Sequence, residues 1–142
     1  MWTLSLLGKL EGAVPLLLRL PTGIAFFCFH GLEKLRPGGE WDWGQGFADG
    51  DAAPAILLYI AAWTEFLGGF ALFMGLFTRW AALGVCGIMV TAIFLVHDGD
   101  PFRKWELAFI YAGVLLSIAA VGPGALSLDR LFFGRDAMNE PQ

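Results

Sequence analysis

Four long apolar runs are the feature of this sequence that most restricts its fold. They cover roughly Ala13–Leu35, Ala53–Phe77, Trp80–His97 and Trp105–Val121. An α-helix needs about 20 residues, within a range of about 17–25, to cross the hydrocarbon core of a bilayer. Only helices and closed barrels satisfy every backbone polar group in lipid. The sequence therefore predicts an all-α protein, an integral membrane four-helix bundle forming a single domain over residues 1–142, with a polar tail over residues 122–142.

The composition supports lipid as the solvent of these runs. Hydrophobic residues make up 57% of the 142 residues and charged residues only 15%, whereas soluble domains are nearer 45–50% apolar and about 25% charged. A soluble chain of this length leaves roughly a third of its surface in water and could not hide so much apolar area. The net charge of −4, without a basic block, gives no support to a nucleic-acid partner.

The links between the runs predict how the helices connect. The link at residues 36–54 is rich in glycine and acid and carries Trp41 and Trp43, which suit the membrane–water interface. The link around Thr78 and Arg79 is so short that the second and third helices must form an antiparallel hairpin. After residue 124 the stretch Leu126–Gly134 predicts a short amphipathic helix along the surface.

The positive charges give a small bias in orientation. Four spans place both termini on one side of the membrane, where five basic residues fall, against four on the other side. The rule that basic loops stay inside therefore favours cytoplasmic termini. The first run is interrupted by Arg19 and Pro21, so we expect a retained span and not a cleaved signal peptide.

Ionisable residues inside spans are costly, at about 2.5–3.5 kcal/mol for a central charge on insertion scales, and usually face the bundle interior. At 100° per residue, Arg19 and His30 lie within about 20° of each other and Lys34 about 40° further round. Glu65 lies about 16 Å below the outer end of its span. These positions predict an ion pair between Arg19 and Glu65, with His30 and Lys34 on the same face.

Other polar and aromatic residues extend this cluster. His97 and Glu106 fall on the same side of the membrane as His30, so the polar groups converge on the outer half of the bundle. Trp63 and Phe66 flank Glu65 and could line an apolar slot for a planar lipophilic molecule. Three alternatives stay open: ion pairing with no further role, a b-type haem held by His30 and His97, and a site for such a molecule. The two histidines lack metal-ligand spacing, so no dedicated metal site is predicted.

These same segments resemble the DoxX family of small bacterial four-helix membrane proteins. "RLPTGIAFFCFHGLEKL" is similar to the family's first helix, with an arginine, an aromatic run and His-Gly-x-x-Lys. "EFLGGFALFMGLFTRWAAL" resembles its second helix, with a glutamate, paired glycines and a closing Thr-Arg. "HDGDPFRKWELAFIY" and "GPGALSLD" resemble its third loop, fourth helix and tail. The resemblance runs from about Leu18 to Leu131 and implies a bacterial inner (cytoplasmic) membrane location.

The resemblance also carries expectations of function. It places the family's recurring polar positions at Arg19, His30, Lys34, Glu65 and Glu106. Members resemble the membrane subunit of thiosulfate:quinone oxidoreductase, and others are linked with membrane oxidoreductase assemblies that have soluble partners. The first hypothesis is therefore a quinone-linked subunit supplied with electrons by a partner protein. In this hypothesis Glu65 and His30 are catalytic, and Arg19, Lys34, Glu106 and Trp63 bind the quinone.

Two hypotheses from other classes compete with it. A non-catalytic membrane scaffold would anchor a larger complex through the link at residues 36–54 and through the tail. Transport of a small solute or proton would use the buried charges, but four short helices leave little room for the broken, repeat-related helices of carriers.

Overall fold

The computed structural model describes residues 13–36 and 55–134 of the chain. The expectations for residues 37–54, with Trp41 and Trp43, lie outside the described residues. Lys9 and Arg135, two of the five basic residues counted on the side of the termini, also lie outside the described residues.

Four helices form the body of the part of the chain that the structure describes. They are α1 (Val14–Leu35), α2 (Ala55–Met74), α3 (Thr78–Val96) and α4 (Phe102–Val121), and each is long and apolar enough to cross a bilayer. A short helix, α5 (Leu128–Phe133), follows. The prediction of an all-α membrane bundle is confirmed, and α5 lies within the stretch predicted to be a short helix.

The helices form a closed ring in chain order. The first half of α1 packs against α2 and α4, α2 packs against α3, and α3 packs against α4. The predicted hairpin of α2 and α3 is made by a turn at Gly75, whose φ of +68° favours glycine. Leu76 N–H donates to Ala71 O (2.9 Å) and Gly75 N–H to Leu72 O (3.2 Å), which is the Schellman ending of an α-helix. This ending stops α2 three residues before the predicted boundary at Phe77.

The α2–α3 turn and α5 lie at one end of the bundle, which we call the α5 end; the opposite end is the His30 end. The buried apolar residues extend only about 18 Å from the α5 end, at 1.5 Å per helical residue. They comprise Phe26, Leu72, Ala82, Val85, Cys86, Met89, Ala112, Leu115 and Ile118. Beyond them, the described residues of the four helices are half-buried or exposed, apart from Gly31 and Ala62. The bundle therefore has a buried apolar core at the α5 end, whereas few side chains are buried in the half at the His30 end, which we call the thin half.

Glycines bring α1 and α2 into backbone contact. A Cβ added to Gly31 would lie 2.4 Å from the Cα of Phe66, and one added to Gly69 would lie 2.4 Å from the backbone nitrogen of Phe27. Gly23 contacts Phe73 in the same way, with its added Cβ 2.5 Å from the Phe73 nitrogen. Small residues allow such close approach between membrane helices. This glycine seam fixes how α1 and α2 face one another.

Candidate functional site

A buried ion pair joins α1 to α2. The Nζ of Lys34 donates to Oε2 of Glu65 at 2.5 Å. The Glu65 side chain is 1% exposed and that of Lys34 is 15% exposed. Glu65 lies about 14 Å from the α5 end, counted along α2 at 1.5 Å per residue, so it lies in the last layers of the buried half and borders the thin half of the bundle. Lys34 reaches it from the last turn of α1.

A π-helical stretch in α1 sets the direction of this pair. Residues Ala25–Gly31 adopt i→i+5 hydrogen bonding between the α-helical parts Val14–Ile24 and Leu32–Leu35. One extra residue per turn rotates everything beyond it by roughly 100° relative to a continuous α-helix. Arg19 and Lys34 both face α2, whereas His30 is turned towards Tyr111 on α4, so the face predicted for all three residues in an unbroken helix is wrong for His30. Gly31 lies against the backbone of Phe66 on α2, and this close approach of the two helices brings Lys34 within reach of Glu65.

His30 lies beside the ion pair, within electrostatic range of Glu65, Lys34 and Glu33. Its half-buried ring stands 5.2 Å from that of Phe26 and 5.9 Å, edge to face, from that of Tyr111 on α4. Phe26 and Tyr111 are themselves 4.9 Å apart. The site thus has a carboxylate floor, an ammonium above it, and an imidazole against an aromatic wall.

Arg19 does not contact this site. Its Nη1 donates to Phe73 O (2.8 Å) and Leu72 O (3.2 Å), and its Nη2 donates to Leu126 O. Phe73 follows Glu65 by eight residues, a distance of about 12 Å along α2. The predicted pair of Arg19 with Glu65 is therefore wrong: Arg19 lies at the level of the end of α2, where carbonyl groups need donors, and Glu65 accepts from Lys34 instead. A cation is also favoured at the C-terminus of a helix.

The tail completes the closure of the α5 end. Both carboxylate oxygens of Asp129 accept backbone hydrogen bonds, from Phe77 N–H (2.6 Å) and Thr78 N–H (2.9 Å). These are orphan donors at the start of α3. Phe77 has a φ of +46°, which non-glycine residues seldom adopt, and Asp129 stabilises that conformation. Arg19 and Asp129 thus hold the tail against the α2–α3 turn.

The remaining predicted residues lie at the surface. Glu106 is exposed in the first part of α4. Trp63 is 48% exposed and its ring stands edge to face with Phe66 at 5.9 Å. His97 Nδ1 lies 3.1 Å from Oδ2 of Asp100 in the α3–α4 link, while His30 contacts Phe26 and Tyr111. A role for any of them in holding a quinone or a haem stays a prediction.

The sequence reasoning missed Tyr111 and Asp129. Tyr111 is a polar-tipped aromatic in an apolar span, and such residues often have a hydrogen-bonding role. Asp129 follows Ser127, the N-cap of α5, in an otherwise apolar tail. A carboxylate in that position is a recognisable signal for a contact with backbone N–H groups, although its partner on α3 is not readable from spacing.

The chain was compared with known proteins. The DoxX family model matches residues 14–98, a range that includes Arg19, His30, Lys34 and Glu65 but not Glu106. No solved structure matches the chain significantly.

Three curated relatives are similar over much of their length. "Putative oxidoreductase CatD" of Bacillus subtilis is 34% identical over 120 residues, which cover 83% of this chain and 86% of the relative. "Inner membrane protein YqjF" of Escherichia coli is 33% identical over 91 residues, 61% of this chain and 70% of the relative. An uncharacterized protein of Haemophilus influenzae is 33% identical over 114 residues, 75% of this chain and 82% of the relative.

Proposed function

The chain belongs to the DoxX family of membrane proteins, and from this membership we propose that it is the membrane subunit of a quinone-linked oxidoreductase. The observation that carries the proposal is the Lys34–Glu65 pair beside His30, at the border of the thin half of the bundle. The B. subtilis relative, whose printed name contains the word oxidoreductase, supports the reaction class. The E. coli relative, named as an inner membrane protein, supports the location.

The chemistry of the donor set fits a quinone head group. A planar ring with carbonyl oxygens needs apolar or aromatic walls and a few convergent donors. The half-buried ring of Tyr111, packed on the buried ring of Phe26, supplies a wall, and Lys34 and His30 supply donors. A bound quinone would accept two electrons and two protons, with the electrons coming from a soluble or membrane-bound partner protein.

The residues of the chain have separate tasks in this proposal. The Lys34 ammonium donates a hydrogen bond to a carbonyl oxygen and stabilises negative charge that develops there. His30 can pass protons from water to the reduced ring, as imidazole does in general acid–base catalysis. Glu65 holds the Lys34 ammonium in place through the hydrogen bond that its Oε2 accepts from Nζ at 2.5 Å. Glu106 and Trp63, at the surface, would contact only a molecule entering from outside the bundle.

Quinone binding tests the proposal directly. The protein purified in mild detergent is titrated with decyl-ubiquinone, and bound quinone is also extracted and identified by mass spectrometry. We expect saturable binding that Lys34→Met weakens at least tenfold, because it removes the donor. Arg103→Met is the matched control, since it removes an exposed cation at the same end of the bundle, and it should bind like the unmodified protein. Absence of both retained and added quinone in the unmodified protein would overturn the proposal.

A non-catalytic scaffold is the second candidate function. It is favoured by the large apolar side chains that the spans expose outward, such as Phe94, Ile56 and Leu67 at 69%, 64% and 56%, some of which would face a partner instead of lipid. In that case Glu65→Gln and His30→Ala would change the amount of assembled complex and leave its turnover unchanged. The quinone proposal expects these substitutions to lower the turnover and to leave the amount of assembled complex unchanged.

We also propose that the chain resides in the bacterial inner membrane with the α5 end towards the cytoplasm. The sequence assigns five basic residues to that side of the four spans and four to the other, a margin of one in the direction of the preference of basic residues for the inside. A green fluorescent protein fused after residue 142 should fluoresce, and alkaline phosphatase fused there should be inactive. The opposite pair of results would reverse the orientation.

A further inference from the structure

We propose that the α5 end carries a binding site for an anionic phospholipid, formed by Arg79, Arg130 and the exposed apolar side chains around them. The site is independent of the quinone proposal. It lies at the opposite end of the bundle from Lys34 and Glu65 and shares no residue with them.

Two arginines from different helices, Arg79 of α3 and Arg130 of α5, lie at this end. Arg79 follows Thr78 and Arg130 follows Asp129, and the carboxylate of Asp129 joins the two segments through its hydrogen bond from Thr78 N–H at 2.9 Å. The Arg79 guanidinium lies against the start of the tail, since a Cβ added to Gly122 would be 3.3 Å from its Nε and Nη2. The segments that carry Arg79 and Arg130 therefore lie on the same rim of the bundle.

The charge at this rim is positive and fixed. Asp129 is the acidic residue of the described rim, and its two oxygens are already bonded to backbone N–H groups. Arg19 adds a third guanidinium, buried beneath the tail and bonded to carbonyl groups. Arginine binds phosphate oxygens in a bidentate manner, so a phosphodiester is the complementary ligand for Arg79 and Arg130.

Apolar side chains beside the arginines identify the ligand as a lipid and not a free phosphate. Trp80 is 77% exposed, Leu131 73%, Phe132 66% and Phe77 56%.

Arg130 lines a shallow groove of about 510 Å³ whose other walls are Ala125, Leu126, Ser127, Leu128 and Leu131. This surface continues the membrane-facing sides of α2 and α3, where exposed apolar residues meet acyl chains. Tryptophan next to arginine is typical of the head-group level, and basic pockets at this depth bind acidic head groups.

Lipid binding to the full-length protein tests this inference. The protein is delipidated in neutral detergent and titrated with dioleoyl-phosphatidylglycerol or dioleoyl-phosphatidylcholine, and bound lipid is counted by native mass spectrometry. Two basic residues near an anionic head group should favour phosphatidylglycerol roughly thirtyfold. The variant R79Q/R130Q should lose that preference, and R79K/R130K should keep part of it.

The control is R36Q/R103Q, which removes the same charge from exposed arginines at the His30 end and should keep the preference. Leu131→Ser leaves every charge in place and should weaken phosphatidylglycerol binding several-fold. Inorganic phosphate at millimolar concentration should not displace the lipid; displacement would show a free-anion site instead. Melting temperatures in phosphatidylcholine separate loss of binding from loss of fold. Equal binding of both lipids, or an unchanged preference in R79Q/R130Q with an intact fold, would overturn the inference.

Discussion

The two ends of the bundle hold buried charge in different ways. At the α5 end, Arg19 is bonded to carbonyl oxygens and Asp129 to backbone N–H groups. At the His30 end, Glu65 is bonded to another ionisable side chain, Lys34. Backbone groups neither titrate nor leave the helix, so charges held by them fix a structure. A side-chain pair can exchange a proton or admit a ligand between its members.

The packing of the two ends follows the same division. The buried apolar cluster fills the half that Arg19 and Asp129 close, whereas the helices around His30 are half-buried or exposed. Buried ion pairs often contribute little net stability, because desolvation offsets their attraction. We therefore expect substitutions at the α5 end to change mainly stability, and substitutions of the Lys34–Glu65 pair to change mainly binding.

Arg19→Met should have the largest effect on stability. It leaves the carbonyl oxygens of Phe73 and Leu126 without this donor, at about 1–3 kcal/mol for each unsatisfied buried group. We expect a loss of about 3 kcal/mol, seen as a fall of roughly 10 °C in melting temperature in detergent. Arg103→Met, at an exposed position of α4, is the control and should melt like the parent. A melting temperature within about 2 °C of the parent would remove the structural role given to Arg19.

Gly31→Ala tests the contact that brings Lys34 to Glu65. The added Cβ would lie 2.4 Å from the Phe66 backbone, so α1 and α2 must separate, at about 1–3 kcal/mol. Gly87→Ala is the matched control, because nothing lies within 4 Å of its added Cβ, and alanine should stabilise that helix by up to about 1 kcal/mol. We therefore expect Gly31→Ala to lower the melting temperature and Gly87→Ala to raise it. Equal melting temperatures would show that the seam tolerates a methyl group.

Asp129→Asn should have a smaller effect at the same end. The amide retains one acceptor oxygen but loses the charge and the second acceptor for the N–H groups of Phe77 and Thr78. Replacing a group that caps a helix start costs about 0.5–2 kcal/mol. Hydrogen exchange should accelerate at those two amides, and Asp98→Asn, in the exposed α3–α4 link, should leave them unchanged. Unaltered protection in Asp129→Asn would show that the tail does not depend on this carboxylate.

The smallest expected effect concerns Asp100 in the α3–α4 link. Hydrogen bonds from Lys104 and then from His97 lower the pKa of the Asp100 carboxyl below its usual range. Because the folded-state pKa is depressed, its contribution to stability is present above the ordinary pKa of about 3.9 and is lost as the pH falls below it. Carboxyl carbon NMR should place the titration of Asp100 below the ordinary aspartate value of about 3.9. A titration of Asp100 at the ordinary value would contradict the two contacts.

The sequence predicted the parts of this structure that depend on local pattern. Hydrophobic length located all four helices to within three residues, and the unusual cost of a mid-span carboxylate identified Glu65 as buried. The side-chain partners between helices could not be predicted in this way, because helical periodicity assumes that every residue of a span adds the same rotation. The π-helical stretch at Ala25–Gly31 changes the rotation per residue, so the angle from Arg19 to Lys34 could not be computed from a regular helix.

Tertiary contacts account for the other differences. Arg19 meets carbonyl groups because the Schellman ending at Gly75 and the returning tail place them nearby. Tyr111 joins His30 because the ring order of the helices sets α4 beside α1. Neither arrangement has a local sequence signal, since residues more than 50 positions apart must be brought together.

The central claim is that Glu65 belongs to a binding site while Arg19 belongs to the framework, and Glu65→Gln tests it most directly. The amide can still accept a hydrogen bond from Lys34, whose side chain is partly exposed, so the melting temperature should fall by only a few degrees. Binding of decyl-ubiquinone should weaken at least tenfold, because the carboxylate no longer positions the ammonium. A large loss of melting temperature with unchanged quinone affinity would contradict the account.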